Sequence, residues 1–231
     1  MIGTLINAAL ILVGSAIGLL LKKGIPSRLQ DTVMQALGLC VILIGISGAI
    51  ETSNTLCVVV SMAVGSLVGS ALNIEKGLDH LGQSLEKRFG GKEGQGSLSK
   101  GFVTASLVFC VGAMAIVGSI NSGIHNDHST LITKGILDGI SSIFFASTLG
   151  IGVALSAVAV FVYQGGIALL ATWVAPYMSE LMIQEMGAVG GLLIVGIGIN
   201  MMNDKQHIPV GNMLPAMFFP LIYLPIAGLF A

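Results

Sequence analysis

Apolar residues in this chain gather into long blocks separated by short polar connectors. The blocks fall at about 3–21, 33–50, 54–73, 101–122, 132–148, 149–174, 186–202 and 208–230. Several approach the ~20 residues that an α-helix needs to cross the hydrocarbon of a bilayer. The fifth is short and polar, which fits a re-entrant or broken segment, and its boundary with the sixth is placed at Thr148-Leu149-Gly150. The pattern predicts an all-α polytopic membrane protein, a single transmembrane domain over 1–231. Eight spans are expected, or seven if the fifth block does not cross.

The connectors set an orientation. Lys22, Lys23 and Arg28 lie between the first two blocks, and Lys76, Lys87, Arg88, Lys92 and Lys100 lie in the 74–100 segment. Both segments are expected in the cytoplasm. The turn Glu51-Thr-Ser-Asn54 and the acidic 175–185 segment, with Glu180 and Glu185, then lie outside, and Asp204-Lys205 lies inside. Eight spans with both ends of the chain outside satisfy all these connectors. Within 74–100, EKGLDHLGQSLEKRF puts Leu78, Leu81, Leu85 and Phe89 on one side, as in an amphipathic helix lying on the inner leaflet. GGKEGQGSLSKG follows as a flexible linker.

The blocks also repeat. Gly14-Ser-Ala-Ile17-Gly18-Leu19-Leu20 parallels Gln164-Gly-Gly-Ile167-Ala168-Leu169-Leu170, and Pro26 parallels Pro176. Met34 to Ile46 resembles Met186 to Ile199, and Met62 falls opposite Met213. Helices one to three would correspond to helices six to eight with opposite direction through the membrane. Such inverted repeats are the usual scaffold of secondary transporters.

Composition agrees with a membrane setting: 54% hydrophobic, 9% charged and a mean hydropathy of +0.94. Soluble domains carry about a quarter charged residues. The 32 glycines read as close helix packing, which makes a homo-oligomer plausible. A net charge of −1 offers no footprint for nucleic acid. Cys40, Cys57 and Cys110 read as buried free thiols, with no disulfide or metal spacing. The first block has no cationic leader and is followed by Lys22-Lys23, which fits a retained membrane helix better than a cleaved signal peptide.

The chemistry concentrates in 133–166, TKGILDGISSIFFASTLGIGVALSAVAVFVYQGG. Lys134 and Asp138 are four apart, Ser141 and Ser142 continue their face, and Ile136, Ile140, Ile143 and Phe144 line the other. Such a polar stripe must face protein or a water-filled cavity. Asp138 would be a cation or proton site with Lys134 as its partner or gate; alternatively, the pair anchors the segment at the membrane surface. Tyr163 and Gln164 close the run beside a Gly-Gly pair, with Gln164 available to a solute and Tyr163 also suited to the interface. Asn7, Asn121, Asn200 and Asn212 offer amide donors and acceptors, for a solute or for helix-to-helix bonds. Pro215, Pro220 and Pro225 after Asn212 would free carbonyls in the last helix or simply kink it. His125-Asn-Asp127-His128 reads as a solvated loop, since its few ligand types lack metal spacing. No Ser-His-Asp or Cys-His arrangement is legible, so no enzyme, cofactor or metal site is expected.

The stretches GTLINAALILVGSAIGLLLKKGIPSRLQDTVMQALGLCVILIGI, FVTASLVFCVGAMAIVGSI, TKGILDGISSIFFASTLGIGVALSAVAVFVYQGG and VGNMLPA resemble one bacterial family. It is domain-of-unknown-function family 554, the YqgA-like inner-membrane proteins, and the resemblance covers nearly the whole chain. Gly135 stands where a serine would be expected after the lysine. The resemblance implies a multi-pass protein of the bacterial inner (cytoplasmic) membrane and carries no substrate. Two functions are therefore expected from the residues: a secondary transporter or channel-like permease for a small solute, monovalent cation or proton, or a non-transporting scaffold or sensor that packs against a partner protein.

Overall fold

A computed structural model describes residues 1–22, 27–89, 97–202 and 207–229. Twelve helices follow one another, and no strand occurs among the described residues: α1 (Ile2–Lys22), α2 (Ser27–Ala49), α3 (Thr55–Leu72), α4 (Ile74–Phe89), α5 (Ser97–Cys110), α6 (Ala113–Ile124), α7 (Ser129–Leu149), α8 (Gly152–Leu169), α9 (Ala171–Val174), α10 (Glu180–Met202), α11 (Val210–Met213) and α12 (Pro220–Ala227). Short 3-10 turns occupy Ala175–Tyr177 and Leu214–Phe218. Pro26, most of the expected linker (90–96) and the Asp204-Lys205 connector lie outside the described residues.

Among the described residues, six stretches are long and apolar enough to cross a membrane: Ile2–Leu21, Asp31–Ala49, Thr55–Leu72, Gly152–Leu169, Glu180–Met202 and Val210–Ala227. A seventh is added if α5 and α6, bent by 65° at their junction, count as one. α7 has the length, 21 residues, but its Lys, Asp, Ser and Thr residues lower its mean hydropathy. For the fifth block a broken or re-entrant form was the alternative to a span, and α7 is continuous from Ser129 to Leu149. Its two charges satisfy each other one helical turn apart, so the helix has no reason to open. The break falls instead in the fourth block, at Gly112, whose φ of +132° suits glycine alone. The turn between α7 and α8 uses Gly150, with φ +80°.

The chain forms two compact units. One holds 1–37, 79–110 and 114–174; the other holds 38–78, 111–113 and 175–231. In the first, α1 and α7 run side by side in the same direction along a seam of small residues. A Cβ on Gly14 would lie 2.0 Å from the carbonyl oxygen of Gly139, and one on Gly18 would lie 2.2 Å from that of Ile143. Such contacts are the means by which membrane helices gain dispersion energy without a hydrophobic drive. α5 and α6 follow α8 in the same sense, with Gly152 against Leu98 and Gly123 against Ala168. Phe109 and Phe145 stack with ring centroids 5.8 Å apart beneath this layer.

In the second unit, the end of α2 and α10 run antiparallel, with Gly38 against Gly198 and Gly45 against Gly191. α3 runs antiparallel to the last block, with Gly65 against Ala216 and Gly69 against Asn212. Many of the glycines thus serve close helix packing inside the fold, as expected. The apolar side chains that remain exposed are leucines, isoleucines and valines along the candidate spans, such as Leu20, Leu43, Leu67 and Val162. That distribution is suited to lipid. Cys57 is buried as expected, whereas Cys40 lies on an exposed face of α2 and Cys110 is half-buried.

The α1–α7 seam leaves no room for one added methyl. Gly14→Ala should cost about 1–3 kcal/mol through overpacking, read as a lower unfolding temperature in detergent. Gly166→Ala, where a Cβ meets nothing within 4 Å, should leave that temperature within error.

Candidate functional site

α7 places its polar residues on the inner side of the first unit because its small and charged residues share one stripe. Gly135, Asp138, Gly139 and Ser142 are buried, while Ile136, Leu137, Ile140 and Phe144 are exposed on the opposite face. Lys134 and Asp138 are 6% and 7% exposed, so the pair faces neighbouring helices and not the surface of the chain. Their side chains form a direct ion pair across one helical turn. An i,i+4 pair of this kind on a surface helix contributes only about 0.3–0.5 kcal/mol. Buried, its value lies in not leaving either charge alone, which would cost several kcal/mol.

Two further helices complete the centre. Asn7 of α1 donates from Nδ2 to Oδ2 of Asp138 at 3.1 Å and to Oε1 of Gln164, on α8, at 3.2 Å. Gln164 and Asn7 are both fully buried. Cys110, at the last turn of α5, lies within electrostatic reach of both charges and of Tyr163. Four helices therefore converge on one polar centre: α1, α5, α7 and α8.

This centre is incompletely satisfied. The buried polar atoms without a hydrogen-bond partner among the described residues are Thr4 Oγ1, Asn7 Oδ1, Ser15 Oγ, Ser106 Oγ, the Tyr163 hydroxyl and Gln164 Nε2. All belong to the first unit. Each such group costs about 1–3 kcal/mol when buried unpaired, so their accumulation in one unit marks a place built for something other than stability. Thr4, Asn7, Ile11 and Ser15 recur every three or four residues along α1, which carries them down one buried face.

The other expected residues are distributed differently. Ser142 returns its hydroxyl to the Asp138 carbonyl at 2.7 Å, inside its own helix, and Ser141 is half-buried. The Gly-Gly pair after Gln164 does not loosen α8, which continues to Leu169. Asn200 is used up by both backbone groups of Ile208, at 2.8 Å each. Asn212 accepts from the Glu75 amide at 2.9 Å, while Glu75 takes the Asn212 amide at 3.2 Å and His207 at 2.7 Å. Asn200 and Asn212 thus clasp segments of the second unit and do not join the centre around Asp138. The prolines of the last block were expected either to free carbonyls or to kink the helix. The Gly211 and Ala216 carbonyls are taken by the amides of Leu214 and Phe219, three residues on, and the chain tightens into 3-10 geometry. At the loop before α7, His128 pairs with Ser122 at 2.9 Å. Asp127 accepts from the Ser129 amide, which holds its carboxyl below the usual range.

Sequence reasoning did not single out Glu185, named only within the acidic 175–185 connector expected outside. It is fully buried and accepts from Thr52 Oγ1 at 2.6 Å, the Ser53 amide at 2.8 Å and the Asn54 amide at 3.0 Å. The turn 51–54 thus wraps a carboxylate with backbone donors, a nest that satisfies the charge locally. Its only signal in the sequence is a Thr-Ser-Asn turn whose amides need an acceptor. Thr4, Ser15 and Ser106 were missed because a lone hydroxyl in an apolar block is normally bonded to its own helix.

If the ion pair compensates itself, removing one partner should hurt more than removing both. Lys134→Met should lower stability by about 3–5 kcal/mol, and Lys134→Met with Asp138→Leu should recover most of that loss. Thermal unfolding of the purified variants in detergent checks the order.

The chain matches the family described as "Protein of unknown function (DUF554)" over residues 2–224. It is 34% identical to "Uncharacterized membrane protein YdfK" of Bacillus subtilis (strain 168), over 97% of this chain and 96% of that protein. It is 31% identical to "Uncharacterized protein YqgA" of Escherichia coli (strain K12), over 98% and 96%. No solved structure matches. With the family match spanning almost every helix, the chain belongs to the DUF554 family of membrane proteins.

Proposed function

We propose that this protein is a secondary transporter or channel-like permease for a small solute or ion in the bacterial cytoplasmic membrane. One observation carries the reading: a buried Lys134–Asp138 pair joined to Asn7 and Gln164, whose Oδ1 and Nε2 atoms are left without partners, in a unit of apolar helices. Ionisable groups inside a membrane domain are expensive, and they persist where a solute, ion or proton must be handled.

The helix directions support an inverted repeat of helices one to three and six to eight. α1 meets α8 at Asn7–Gln164 and, further back along α1, Thr4 meets Gly165, so the two run in opposite senses. α2 and α10 are antiparallel, and so are α3 and the last block. These are the three pairs that the repeat relates. Counting the bent α5–α6 pair and α7 as one crossing each gives eight spans, with the 74–100 connector in the cytoplasm. The bent pair, broken at Gly112 two residues after Cys110, resembles the interrupted helices that transporters place at their binding sites.

Purified protein in liposomes should move a tracer solute or dissipate a proton gradient. Asp138→Asn, removing a charged hydrogen-bond acceptor, should reduce that flux by about tenfold or more. A folded Asp138→Asn protein with full flux removes Asp138 from the mechanism. Reporters fused within 74–100 should be cytoplasmic; a periplasmic signal overturns the orientation and the pairing of repeats.

A further inference from the structure

Resting on the permease reading above, we infer that the solute taken at the Asp138 centre carries no net charge and offers both hydrogen-bond donors and acceptors. A small zwitterion or a small neutral polar molecule has this chemistry. An inorganic cation does not.

Charge counting leads there first. Lys134 and Asp138 contribute one positive and one negative charge, and the side chains bonded in behind them, Asn7 and Gln164, are neutral. The fixed charge of the centre is zero. Adding a bare cation leaves a net charge in a low-dielectric surrounding, which is costly by several kcal/mol. The cation would also have to compete with Lys134 for the one carboxylate present, and among the described residues no cluster of three His, Cys, Asp or Glu could hold a metal ion. A solute of zero net charge enters without disturbing this balance.

The unused hydrogen-bonding atoms lead to the same class. Asp138 only accepts, so Asn7 must turn its nitrogen toward it, and that nitrogen reaches Gln164 as well. The two hydrogens of Asn7 Nδ2 are thereby both used. This fixes Asn7 Oδ1 as a spare acceptor and Gln164 Nε2 as a spare donor, both on fully buried side chains. The hydroxyls of Thr4 and Tyr163 can serve either role. A dehydrated alkali cation would use only the oxygens and leave the Gln164 amide facing a positive charge. A molecule such as glycine can give its ammonium to Asp138 and its carboxylate to Lys134, while urea or glycerol can bridge Asn7 and Gln164.

The test uses the full chain in proteoliposomes with radiolabelled glycine, urea and glycerol, and with radioactive sodium and rubidium. At least one of the three neutral probes should enter, and sodium and rubidium should not. Entry of glycine alone identifies the zwitterion; entry of urea or glycerol identifies the neutral solute. Asn7→Leu and Gln164→Leu should each slow the entering probe by about tenfold, the loss of one buried hydrogen bond to a solute. Thermal shift of the wild-type protein with the same probes gives the second measurement should the variants misfold: a shift with a neutral probe and none with rubidium is expected. Sodium or rubidium entry that is lost in Asp138→Asn overturns the inference and leaves the permease reading standing. Entry of none of the five probes, with no thermal shift, overturns both.

Discussion

A charge inside hydrocarbon cannot be left alone, and that constraint arranges the first unit of this protein. Lys134 and Asp138 form their pair within one helix, so α7 can remain regular while carrying two ionised groups. The pair does not exhaust the carboxylate, however, and Asn7 and Gln164 are drawn in behind it. α1 and α8 are thereby fixed against α7 by polar bonds as well as by packing. Small residues make that approach feasible, since Gly135 lies against Asn7 and Gly139 against Leu10. Electrostatics selects the partners, and glycine sets how near they come.

The second unit solves a similar problem by different means. Its buried carboxylate, Glu185, is held by a hydroxyl and two backbone amides of a tight turn, with no basic residue involved. Another of its acidic groups, Glu75, accepts from a backbone amide and from His207. Both carboxylates join segments distant in sequence, and the polar bonds around them are complete. The contrast with the first unit is physical: one set of polar groups is closed on itself, whereas the other retains unmatched donors and acceptors. That asymmetry is the reason to place function in the first unit.

Much of this was legible from residue spacing. Apolar blocks of membrane length anticipated the candidate spans, and the amphipathic spacing of Leu78 and Leu81 anticipated α4. The i,i+4 spacing of Lys134 and Asp138 anticipated their pairing, and the single polar stripe of α7 anticipated its inward face. Long-range partners were not legible. Nothing local in α1 says that Asn7 meets Gln164, because contacts between helices depend on which glycines face each other. The break at Gly112 was hidden for a related reason: one glycine among 32 gives no local sign that it alone takes a positive φ within its block. The burial of Glu185 was not legible because hydropathy registers a carboxylate as solvent-seeking and cannot see backbone amides that neutralise it.

The bond from Asn7 to Asp138 joins residues 131 positions apart, and that to Gln164 joins residues 157 apart. A ribosome adding about 5–20 residues per second takes on the order of ten seconds to make that much chain. During that interval α1 stands in the nascent membrane domain with its amide, and with Thr4 and Ser15 on the same face, still awaiting the helices that will cover them. α7, in contrast, enters with its charges already matched. The order of synthesis thus delivers the polar key first and its self-neutralised lock later, so insertion of the first helix must tolerate a waiting amide until α7 and α8 arrive.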